Sequence, residues 1–120
     1  RVLAAAVARY KAHPQVEAVF TAAQIAATSA PRGAPDKWSL LQRVRATFHP
    51  DRSGDFYVVL KEYVSPVARP SAGYTATHGT AWDYDRRVPV MFWRKGMRAE
   101  DRREAVDTAD IMPTLAVWLG

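Results

Sequence analysis

The chain has 120 residues, 48% of them apolar, with 17 basic and 12 acidic side chains giving a net charge of +5. That is enough for one domain with a real core, and the composition excludes a disordered tail. Cysteine is absent, which excludes disulfides, Cys-based zinc sites and thiol nucleophiles together. No apolar run approaches the roughly 20 residues of a membrane-crossing helix.

The positive balance attracts phosphates, nucleic acids and anionic membranes. Its basic residues are dispersed as the pairs Arg86-Arg87, Arg94-Lys95 and Arg102-Arg103. No aromatic–basic groove pattern or recognition helix accompanies them, so neither a nucleic acid nor a membrane is expected as partner. The chain opens on Arg1 rather than Met and ends with a helical pattern running into Gly120. It reads as a stretch processed or cut from something longer, and no signal peptide is visible.

In chain order, Leu3, Ala6, Val7 and Tyr10 fall on one face of a helix over 2–10, which His13-Pro14 ends. Residues 16–21 alternate like a short strand, and 22–27 read equally as a turn of helix or as loop. The proline and glycine of 29–35 mark a loop. Asp36 then stands as N-cap of a helix whose core stripe is Trp38, Leu41, Val44 and Phe48.

Residues 55–61 (DFYVVLK) form the clearest strand signal, apolar enough to be covered on both faces. Residues 65–73 are loop. Residues 88–93 (VPVMFW) predict a second strand, with Pro89 near its start. The last helix spans about 107–119, with Thr108 or Asp110 as cap and Pro113 in the first turn. Ile111, Leu115, Trp118 and Leu119 supply its buried face. Helices alternating with strands indicate an α/β layer arrangement.

Three histidines could carry chemistry. His13 lies at a helix end and reads as surface. His49 sits in His49-Pro50-Asp51, which resembles the signature loop of J-domain co-chaperones and gives the alternative reading, an interaction module. That family requires a second helix directly after the loop, whereas a strand signal follows here, so the motif reads as a turn.

His78 lies in Thr75-Ala76-Thr77-His78-Gly79-Thr80, between the two predicted strands. Loops at strand ends collect ligands in α/β sheets. Gly79 allows a sharp turn and leaves room beside the ring. A neutral imidazole suits zinc, and Asp83 or Asp85 could accept a hydrogen bond from the ring's other N–H. One histidine does not define a zinc site, which needs at least three protein ligands.

The run Thr77-His78-Gly79-Thr80-Ala81-Trp82-Asp83-Tyr84-Asp85-Arg86-Arg87-Val88-Pro89-Val90-Met91-Phe92-Trp93 resembles the last motif of the alkaline phosphatase superfamily. The likeness is to the bacterial alkaline phosphatases related to nucleotide pyrophosphatase/phosphodiesterases. Thr108-Ala109-Asp110-Ile111-Met112-Pro113-Thr114-Leu115 is similar to the helix that follows that motif, and Ser53-Gly54-Asp55 leading into the strand agrees. Arg86-Arg87 stand where a Thr-His pair is common and Arg94 where glycine is usual, departures that bear on substrate preference.

The resemblance implies that residues 1–120 are the C-terminal part of an alkaline-phosphatase-like catalytic domain, a layered sheet with flanking helices. It implies hydrolysis of phosphate esters with two zinc ions, through a covalent phospho-enzyme on a Thr or Ser. His78 matches the family's final zinc-ligating histidine. The nucleophile and remaining ligands belong to motifs absent here, so the chain's other partner is the remainder of the domain and alone it should be inactive. The resemblance further implies a periplasmic or secreted protein.

Overall fold

The computed structural model describes residues 1–67, 73 and 77–120. Helix α1 (Val2–Lys11) leads through a turn at His13-Pro14 into strand β1 (Val16–Thr21). Thr21 ends the strand and caps helix α2 (Ala22–Ala27). Its hydroxyl accepts from the Gln24 N–H while the Gln24 side chain accepts from the Thr21 N–H. This reciprocal box satisfies orphan amides at the helix start, and it resolves 22–27 as helix.

The same device starts helix α3 (Leu40–Thr47), where Ser39 and Gln42 cap one another. Asp36, expected as the cap, instead lies in a 3-10 turn (Pro35–Lys37) begun by Pro35, and Trp38 precedes the helix. The chain then turns at Pro50-Asp51 into strand β2 (Phe56–Leu60). The Ser53 and Arg52 N–H groups close that turn on the His49 carbonyl at 2.8 and 3.1 Å. A strand follows it, and the helical hairpin of the co-chaperone alternative does not form.

β1 and β2 pair antiparallel, with Ala18 opposite Val59, Phe20 opposite Tyr57 and an irregularity between Val16 and Ala18. Hydrogen bonds from Lys61 to Gln15 (2.9 Å) and from Ala22 to Asp55 (2.8 Å) extend the ladder at both ends. Side chains alternate across the sheet. One face brings Ala18, Phe20, Tyr57 and Val59 against Ile25 of α2 and Val44 of α3, and this cluster is the core. On the other face Tyr10 of α1 meets Phe56, ring centroids 5.5 Å apart. β2 thus has apolar neighbours on both faces, through the core on one and Tyr10 on the other, which fits its continuous apolar run.

Beyond β2 lie the short helix α4 (Asp83–Arg86), a 3-10 turn (Thr108–Asp110) and helix α5 (Ile111–Leu119). Asp107 caps the 3-10 turn, accepting from the Ala109 N–H at 3.0 Å, while Asp110, one of the two expected caps, stands at the N-cap position of α5 and accepts from the Asp107 N–H. Residues 88–93 are not a strand. A strand needs a neighbour for its N–H and C=O groups, and among the described residues none lies alongside. Met91 and Trp93 are consequently 86% and 83% exposed. The expected face of α5 is only partly buried: Ile111 and Trp118 are half-covered, but Leu119 is exposed. Most of 65–73 lies outside the described residues.

The radius of gyration, 18.1 Å, exceeds the about 14 Å of a compact chain this long. Stability is concentrated in the sheet and its covering helices. Ile25→Ala should cost about 2–5 kcal/mol, as for other buried aliphatic truncations, whereas Met91→Ala should shift stability by no more than about 0.5 kcal/mol. Urea melts of the 120-residue chain would measure both, and equal losses would contradict this distribution of packing.

Candidate functional site

The segment from Thr77 to Trp82 leaves the end of β2's layer and runs into α4. Gly79 has φ +99°, a conformation open to glycine and unfavourable for other residues, and nothing lies within 4 Å of where a Cβ would stand. The glycine is thus required by the turn and not by a close neighbour. His78, immediately before it, is exposed. Its ring borders a mostly apolar cavity of about 170 Å³ between the segment and β2, with Tyr57, Leu60, Pro66 and Trp82 among the other walls. Thr75 and Ala76 lie outside the described residues.

Three side chains fix this segment. The Trp82 indole N–H donates to the Leu60 carbonyl at 2.8 Å, tying it to β2. Arg43 of α3 donates to the Ala81 carbonyl at 3.1 Å and to the Trp38 carbonyl at 3.0 Å. Asp85 of α4 accepts the Thr80 N–H at 2.5 Å. That backbone hydrogen bond holds the Asp85 carboxyl below its ordinary value, helped by the Thr80 hydroxyl, the Gly79 N–H and the charge of His78, with desolvation opposing.

The two expected carboxylates therefore divide. Asp85 is aimed at the His78 segment and grips its backbone. Asp83 is taken up by arginines, at 3.2 Å from Arg43, 3.0 Å from Arg86 and 3.7 Å from Arg87. Arg86 also donates to the Pro35 carbonyl at 3.1 Å and lies over the Trp38 ring. The other two histidines serve their own turns: His13 Nδ1 accepts from the Gln15 N–H and His49 Nδ1 from the Asp51 N–H.

Among the described residues, no three His, Asp or Glu side chains converge on one point. His78 offers one imidazole, and Asp85 holds the Thr80 N–H through Oδ2. The chain by itself does not fit a zinc ion, which needs at least three protein donors. Arg43 and Trp82, the anchors of the segment, had no signature in the sequence beyond their place in apolar patterns.

No protein-family model matches the chain. Two curated proteins are similar to it over nearly all its length. It is 50% identical over 120 residues to alkaline phosphatase PhoK of a Sphingomonas species, covering 99% of this chain and 22% of that protein. It is 45% identical over 119 residues to alkaline phosphatase PhoD of Zymomonas mobilis, covering 99% of this chain and 20% of that protein. The chain spans about a fifth of the length of the curated relatives it matches. The likeness extends through the residues before Ser53, where the sequence held nothing diagnostic.

Because Asp85's folded-state value is depressed, its contribution is full above the unfolded value and is lost as pH falls through the lower, folded value. The Thr80 amide proton should follow this in an NMR titration, with a midpoint below that of a free aspartate, and Asp85→Asn should abolish the response. A midpoint at or above the free value would remove Asp85 as the anchor.

Proposed function

We propose that residues 1–120 form the C-terminal part of the catalytic domain of a zinc-dependent phosphohydrolase of the alkaline phosphatase type, acting on phosphate monoesters. The observation that carries this is the 50% identity along the chain to a protein named alkaline phosphatase. His78 beside the Gly79 turn supports it as the metal-facing position. The branch related to nucleotide pyrophosphatase/phosphodiesterases, and a periplasmic or secreted location, rest on the motif resemblance alone.

In this reading the chain's residues hold one imidazole ready and leave the chemistry to groups supplied by the rest of the domain. Asp85, Trp82 and Arg43 fix the segment that carries His78, so the ring's range of positions is limited before any metal arrives. Zinc, when bound, would neutralise phosphoryl charge and lower the pKa of a bound nucleophile. Thr77 and Thr80 have no role as nucleophile, since the family's nucleophile motif is not in this sequence. The exposed apolar side chains Val88, Met91, Trp93 and Leu119 are suited to cover by the rest of such a domain, the partner this reading requires. Alone, the chain is inactive.

The test is hydrolysis of p-nitrophenyl phosphate by the full-length polypeptide that carries this chain. His78→Ala at limiting zinc should lower kcat/KM by roughly 100-fold or more, since even groups one step behind a ligand are worth 10–100-fold. Excess zinc should restore part of the loss. Unchanged rates would remove His78 from the site. Finding no Asp-x-x-x-His motif in the residues that precede Arg1 would remove the enzyme reading altogether.

A further inference from the structure

Tyr63 is the one described non-glycine residue with positive φ, at +61°. A bulky L residue there is an outlier, and such backbone strain is kept where the surroundings enforce it. Here Tyr63 is the third residue of a turn that the Val64 N–H closes on the Lys61 carbonyl at 3.2 Å, and Tyr84 packs against it. The Tyr63 N–H donates to the Tyr84 hydroxyl at 3.1 Å, and the two rings stack with centroids 4.9 Å apart and planes 17° from parallel. One face of the Tyr63 ring rests on Tyr84, yet the residue remains 83% exposed. A glycine would adopt this backbone at no steric cost, so what the tyrosine adds is its ring, one face on Tyr84 and the other open.

Tyr63 and Tyr84 do not themselves line the His78 cavity, but their close neighbours in the chain do. Lys61 and Pro66, on either side of Tyr63 in the chain, both line that cavity, as does Trp82, two residues before Tyr84. Asp85, next to Tyr84, holds the Thr80 N–H and feels the charge of His78. An exposed aromatic face backed by a second ring is a rigid surface for a flat apolar group. Aromatic rings prefer such offset or stacked arrangements at centroid separations of about 4.5–7 Å.

We propose that Tyr63, seated on Tyr84, is the platform on which a planar aromatic leaving group of a phosphate ester stacks. This rests on the phosphohydrolase reading and names the class of ester it favours. Tyr63 touches the part of the substrate remote from phosphorus. It therefore acts on binding and leaves the chemical step to other groups.

The experiment uses the full-length polypeptide with p-nitrophenyl phosphate and glycerol 2-phosphate, one aromatic and one alkyl ester. Tyr63→Gly deletes the ring and relieves the backbone, so folding is not burdened. It should raise KM for p-nitrophenyl phosphate roughly fivefold or more, with kcat little changed and both constants for glycerol 2-phosphate within about twofold of the parent. Tyr63→Phe, which keeps the ring, should restore the aromatic KM. Equal shifts on both esters, or none on either, would overturn the platform while leaving the phosphohydrolase intact. Failure of the unsubstituted protein to hydrolyse either ester overturns both readings.

Discussion

The guanidinium of Arg43 is the tie on which the candidate site depends. Its side chain is only 14% exposed and reaches from α3 to the Ala81 carbonyl, the Trp38 carbonyl and the Asp83 carboxylate. Taking a guanidinium this far from water is costly unless its donors are satisfied. Here two backbone carbonyls and one carboxylate satisfy it. The arrangement joins three stretches of chain that share no secondary structure: the entry to α3, the end of the His78 segment and the start of α4. Asp83, held by Arg43, in turn positions Arg86 and Arg87. Without Arg43 the segment would keep only Trp82 and Asp85 as restraints.

The two ends of the molecule are built differently. Residues of β1, α2, α3 and β2 share one core on one face of the sheet, with α1 on the other, and Val19, Ile25, Val44 and Val59 are nearly inaccessible. After α4 the packing thins. Phe92 meets Trp118 edge-on at 5.2 Å and Arg94 lies over the same indole at 5.4 Å, while Val88, Met91, Trp93, Met112, Val117 and Leu119 face outward. Exposed apolar side chains are ordinary when scattered. Here six large ones fall within 32 residues, alongside the stretch 88–93, which pairs with no strand among the described residues. Their cover is consistent with relatives about five times longer than this chain.

What the sequence disclosed follows from which interactions are local. Alternation and apolar runs located β1 and β2, because side-chain period and burial are properties of adjacent residues. The helical stripe located α1, α3 and α5 for the same reason. The start of α3 was misassigned because Asp36 and Ser39 are both good caps. Gln42, three residues after Ser39, was the readable sign that favours the latter. The strand expected at 88–93 required a neighbour that local pattern does not supply. At the site, Gly79 and His78 were legible as a turn and a donor. The division of labour between Asp83 and Asp85 was not, since it is set by Arg43, 38 residues from Ala81 in sequence. The stacking partner of Tyr63 likewise lies far off in sequence, at Tyr84, 21 residues on.

These restraints bear on how an incomplete site can still be well ordered. In the proposed reading His78 faces a metal, and a donor of that kind must be held within about 0.5 Å of its productive position. In most sites the ion's other ligands help to set it. Here the restraints come from this chain alone: Asp85 on Thr80, Trp82 on Leu60, and Arg43 on Ala81. All three act on the C-terminal side of His78, within four residues, and Gly79 supplies the change of direction between them and the ring. The exposed imidazole thus sits beside an anchored backbone, and its nitrogens take no hydrogen bond from the described residues. That combination suits a donor awaiting ligands from elsewhere. The same anchors also tie Ala81 and Trp82 into the core, so they serve the fold as well as the proposed donor.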